Sequence, residues 1–149
     1  TVLPVTSLPS VMTTASSGAL VYRSGEAYDQ VFSRSYNLGT IQDVFVYNLQ
    51  KPPMIIECEM NPKMVTRQQL VDIGKSTERY ITSTYADPAA WLDLKVINGN
   101  NNKVSNTISF SKNYVGMMKQ EYIIYSPGNY RFEMTGNLVS PSVRLLVKK

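Results

Sequence analysis

Residues 126–137 read Ser-Pro-Gly-Asn-Tyr-Arg-Phe-Glu-Met-Thr-Gly-Asn. Tyr130, Phe132 and Met134 alternate with Arg131, Glu133 and Thr135. In an extended chain the first three fall on one face and the second three on the other. Pro127-Gly128 before the run and Gly136-Asn137 after it are turn residues, and residues 143–148 resume an apolar extended pattern. A chain with such a half-buried strand near its end must supply a second layer to cover the apolar face.

The same period recurs upstream. In residues 54–60, Ile56, Cys58 and Met60 share one face while Glu57 and Glu59 share the other. Residues 91–97 point Leu92, Leu94 and Val96 inward, Asn98-Gly99-Asn100 suits a tight hairpin, and residues 103–110 return. Residues 41–49 hold the β-branched and aromatic run Val44, Phe45, Val46, Tyr47. Thr66 as an N-cap and Gly74 as a stop predict at most one short helix near 67–73. No helical period or βαβ rhythm appears elsewhere. The pattern predicts an all-β fold: an antiparallel Ig-like or jelly-roll-type β-sandwich of about eight to ten short strands. Tyr130, Phe132, Met134, Trp91 and Cys58 are its expected core residues.

Pro127-Gly128-Asn129-Tyr130 resembles the Pro-Gly-x-Tyr signature that precedes a late strand in many Ig-like sandwich domains of bacterial and archaeal cell surfaces. The resemblance covers residues 87–149. It implies a Tyr130 ring in the core with its hydroxyl bonded to nearby backbone, and a protein of the cell surface or of a surface filament. It carries over no functional residue.

At 149 residues the chain suits one domain, with enough apolar content (43%) to fill a core without a metal or disulfide. Residues 1–22 carry no charge, and Pro4 and Pro9 keep their first part extended. Three readings compete for this segment: an edge strand on its own domain, an arm that packs on a neighbouring subunit, or a disordered tail. The second divides the chain into an arm, residues 1–18, and a sandwich, residues 19–149. Val2, Val5, Leu8 and Val11 are then the intersubunit residues.

The charge excludes little but guides much. Net charge is +4, yet only 17% of residues are charged, and the basic ones are scattered singly apart from Lys148-Lys149. A nucleic-acid binder clusters them, so no nucleic-acid partner is expected. Nor does any apolar run reach transmembrane length.

With no histidine, Ser-His-Asp and Cys-His catalysis and His-ligated zinc fall away. Cys58 lies between two glutamates, which raise rather than lower a thiol's pKa, so it reads as a buried structural thiol. Glu57 and Glu59 have a spacing that a carboxylate pair could use; the plainer reading is a solvated face with Lys or Arg across the strand. No calcium-loop pattern accompanies Asp72, Asp87 or Asp93, and no Gly-rich phosphate loop occurs. No catalytic residue, cofactor or metal is therefore expected. The expectation is a non-enzymatic extracellular structural protein, its signal peptide removed, that self-assembles into a surface filament or layer. Its partners would be copies of itself, a homo-oligomer or homopolymer, with other surface proteins or glycans in reserve. A monomeric carbohydrate-binding module and a small viral coat protein are the alternatives.

Overall fold

A computed structural model describes residues 11–15, 19–72, 78–111 and 118–149. In chain order the strands are β1 (Val11–Ala15), β2 (Ala19–Arg23), β3 (Glu26–Tyr36), β4 (Gly39–Leu49), β5 (Met54–Glu59) and β6 (Met64–Asp72). There follow β7 (Glu78–Ala86), β8 (Trp91–Asn98), β9 (Lys103–Phe110), β10 (Lys119–Ile124), β11 (Gly128–Val139) and β12 (Ser142–Lys148). Among the described residues there is no helix.

The first sheet runs β1-β3-β12-β5-β10, with β2 also on β3; the second runs β4-β11-β8-β9; β6 and β7 form a hairpin of their own. All pairings are antiparallel. Setting aside β1, β2, β6 and β7, the pairing is nested: β3 with β12, β4 with β11, β5 with β10, and β8 with β9. That is a long two-stranded ribbon, doubled at the β8–β9 turn and wrapped into two layers, the jelly-roll form of a sandwich.

The inward faces meet as the alternation requires. Ile56, Cys58, Val143 and Leu145 of the first sheet and Leu92, Leu94, Phe132 and Met134 of the second are fully buried in one core cluster. Phe32 stacks on Phe45 at 4.4 Å between ring centroids, and Phe45 stacks on Phe132 at 4.9 Å, so an aromatic column crosses from one sheet to the other. Tyr130 is buried, and its hydroxyl donates to the carbonyl of Ser126 at 2.8 Å.

Two expectations need correction. Residues 64–72 are strand, not helix: all nine pair with β7, from Met64 opposite Ala86 to Asp72 opposite Glu78. Ile73 lies outside the described residues. A helix of one or two turns bears a nucleation cost that few bonds offset, whereas the β-favouring residues Tyr80, Ile81, Thr82 and Thr84 offer a full ladder. The Thr66 hydroxyl lies 3.4 Å from that of Thr84 across the ladder. Trp91 is not in the core but 40% exposed. Leu92, Leu94 and Val96 take the inward positions of β8, and the period of two turns Trp91 outward.

Gly136 marks a tight approach between the central strands β11 and β8. It pairs with Leu92, and a Cβ there would lie 2.7 Å from the Trp91 carbonyl oxygen and 2.8 Å from Leu92 Cδ1. Gly136→Ala is expected to lower unfolding free energy by about 1–3 kcal/mol, the usual cost of an overpacked methyl, read as a lower urea midpoint with unchanged slope.

Candidate functional site

The outward side of β5 is not the solvated face expected of it. Ser33, Arg144, Glu57 and Glu121 stand in one row across β3, β12, β5 and β10. Glu57 and Glu121 are like charges directly opposite, which alone would destabilise the pair. Arg23, from β2, lies between them and donates to both carboxylates. Arg144 donates to both oxygens of Glu57, to Oε2 at 2.6 Å and to Oε1 at 3.0 Å. Glu57 is therefore only 3% exposed. The β2–β3 hairpin covers it: Val21 and Tyr28 pack on Ile55 and Leu146 of the outer face and bring Arg23 over the row.

Glu59 behaves as the sequence suggests. It is exposed, opposite Lys119, with 3.9 Å between their charged groups. The two glutamates share a face but not an environment. Glu57 is held by two guanidinium groups, so its oxygens are already engaged by Arg23 and Arg144. A shallow hollow of about 220 Å³ lies beside it, lined by Ser33, Glu57, Glu59, Ser142 and Arg144. Two carboxylates, one guanidinium and two serine hydroxyls face this solvent-open depression.

A second polar node joins the sheets at their other edge. Asp43 of β4 accepts from Arg34 at 2.5 Å and from the Tyr36 hydroxyl at 2.6 Å, both on β3. Arg34 lies over the Phe32 and Phe45 rings at 5.1 and 5.6 Å. Burial pushes the Tyr36 hydroxyl well above its ordinary value, and its bond to the Asp43 carboxylate adds to the rise. Burial pulls Arg34 down, and the bond and charge of Asp43 more than offset it, leaving it raised. This node is a latch between layers, in which Arg34 and Tyr36 keep their protons at neutral pH.

Cys58 is fully buried among Ile56, Met60 and the inner faces of both sheets. Burial, with a smaller part from Glu59, pushes its thiol up to about 12. Among the described residues no group of three or more His, Cys, Asp or Glu is placed to hold a metal ion. Of the proposed arm residues, Val11 opens β1 and pairs opposite Tyr36 of its own chain; Val2, Val5 and Leu8 lie outside the described residues. Sequence reasoning passed over Arg23 and Arg144. Arg144 alone carried a signal, as the one charge in the apolar run Val143-Arg144-Leu145-Leu146-Val147.

Comparison with protein-family models, with curated proteins and with solved structures finds no match to this chain.

Two outcomes follow from these nodes. Arg144→Ala leaves Glu57 buried with one partner fewer. Removing one member of a buried pair costs about 3–5 kcal/mol, and the partial exposure of Arg144 places the loss at the lower end. Chemical denaturation checks it, with Arg144→Lys recovering part of the loss. The second concerns alkali. The folded thiol of Cys58 holds its proton from the ordinary 9.0 up to about 12, so its contribution is complete below pH 9.0 and lost as pH rises through that window. Burial raises Tyr36, Tyr47 and Tyr130 in the same sense. The urea midpoint should therefore fall progressively above pH 9.0, less steeply in Cys58→Ala.

Proposed function

We propose that this chain is a non-enzymatic structural subunit that assembles with copies of itself at an extracellular surface, by adding a strand to a neighbour's sheet. The observation that carries the reading is the edge strand β4. It is eleven residues long and lies at the end of the second sheet, with a ladder only to β11 among the described residues. Its residues 44–49, Val-Phe-Val-Tyr-Asn-Leu, hold no charge, proline or glycine. Val44 and Val46 are 55% and 71% exposed. The one charge of β4, Asp43, is turned to Arg34 and Tyr36. Soluble proteins guard such edges with charges, proline or bulges, so an unguarded one suits strand addition.

The donor in this reading is the uncharged segment carrying Val2, Val5 and Leu8. It precedes β1, whose first residue lies opposite Tyr36, three residues before β4 begins. Ten residues span at most about 35 Å when extended, which is enough to run along β4 of an adjoining copy. The low charge content and the Ser, Thr and Asn residues that replace it support the extracellular setting.

Removing residues 1–10 keeps β1 in place. The shortened chain should scatter light as a smaller species and lose extended assemblies in negative stain, and a synthetic peptide of residues 1–10 should restore them. Unchanged assemblies would overturn the arm. The jelly-roll winding favours a second reading, a viral coat subunit, because capsid and lectin domains share that form. Uniform closed shells rather than filaments or sheets in the same micrographs would select it.

A further inference from the structure

The β6–β7 hairpin carries nine residue pairs and joins no other sheet among the described residues. At about 3.4 Å per residue it is roughly 30 Å long. Both of its faces present apolar side chains to solvent: Leu70 (48% exposed) beside Tyr80 (69%) on one, Ile81 (44%) and Tyr85 (40%) on the other. A two-stranded hairpin is marginally stable in water, and a further strand stabilises it. Its two edges differ. β6 holds Arg67 in mid-strand, whereas residues 80–86 of β7 contain no charge, proline or glycine. An open edge of that composition is a template for another strand.

The geometry points to a second copy of this chain as the occupant, paired β7 to β7 about a two-fold axis at Ser83, so that two hairpins form one four-stranded sheet. A two-fold axis perpendicular to the sheet places Ser83 opposite Ser83, Thr82 opposite Thr84, Ile81 opposite Tyr85 and Arg79 opposite Asp87. The last two pairs lie on one face, and symmetry repeats each of them. An aliphatic residue thus meets an aromatic one twice, and opposite charges meet twice, the pairings that stabilise antiparallel neighbours. Moving the axis to Thr82 sets Arg79 against Tyr85 and Ile81 against Ser83, and both complementary pairs disappear. Arg79 is exposed, and Asp87 follows β7 directly, with only Oδ1 engaged by the Ala89 amide at 2.9 Å. The contact is self-complementary and closes on itself. It is separate from the N-terminal arm and goes beyond the arm's role: the arm would join such pairs to one another.

The test uses the full chain in analytical ultracentrifugation. A reversible dimer is expected, and a monomer at the highest concentration reached overturns the proposal. Arg79→Glu sets two like-charge pairs across the axis and should weaken the dimer by about tenfold or more. The exchanged pair, Arg79→Glu with Asp87→Arg, should return it to within about threefold. An Arg79→Glu chain that dimerises like the parent overturns the register. Because Asp87 also holds a turn, a covalent measurement stands beside these. Cys58 is buried, so in Ser83→Cys the new thiol is the accessible one, and mild oxidation should give a covalent dimer. Thr107→Cys, exposed on the far sheet, should give no covalent dimer under the same conditions. Equal cross-linking of the two variants, or none from Ser83→Cys, overturns the contact. The dimer should persist in the chain lacking residues 1–10; its loss there would assign association to the arm and refute the β7 contact, while its persistence leaves the arm to be judged by higher assembly.

Discussion

The last two strands of the chain occupy the middle of both sheets. β11 lies between β4 and β8, and β12 lies between β3 and β5. Of the eight strands wound into the two layers, only β8 and β9 pair with a neighbour in sequence; the rest wait for the C-terminal residues to arrive. Such a fold is dominated by contacts between distant parts of the chain, which makes loop closure the main obstacle to folding and slows it relative to local topologies. The aromatic column of Phe32, Phe45 and Phe132 shows the same dependence, since its third ring is in β11.

Much of this was legible in residue order, and the exceptions have physical causes. β8, β9 and β11 announce themselves because one face of each is buried and the side-chain period of two is therefore enforced, and in β5 the two glutamates mark the period although both faces are covered. β6 does not: residues 64–70 have no buried face, so its polar residues could serve helix or strand, and the Thr66 signal pointed the wrong way, while Gly74 lies outside the described residues. Trp91 is an expected core residue, yet the alternation of its neighbours Leu92, Leu94 and Val96 already sets it outward. Glu57 was misread because its surroundings are remote. Nothing near it in sequence reveals that Arg23 will fold over from β2, or that Arg144 will stand opposite. Strand order, and with it the jelly-roll winding, depends on which distant strands pair, which periodicity alone does not encode.

Charge in this molecule is spent on closing edges and withheld from others. The Glu57 node fastens the β2–β3 hairpin across β5 and β10, and the Asp43 node ties β3 to β4 between the layers. Buried ion pairs contribute little net stability but penalise wrong arrangements, because an unpaired member is costly. The outer sides of β4 and β7 carry no such device. Where the fold must be unique it places guanidinium and carboxylate groups, and where it presents backbone to the outside it places valine, threonine and tyrosine.

The base of the β6–β7 hairpin is also a closed junction. The Asp87 amide donates to the Lys63 carbonyl at 2.8 Å, and the Lys63 amide donates to the Leu138 carbonyl at 2.8 Å. The excursion therefore leaves and re-enters the sandwich at adjacent points pinned to β11, between β5 of one sheet and β8 of the other. The twenty-odd residues beyond that junction form a cassette. Among the described residues they add no strand to either layer, so the register of the body is set without them.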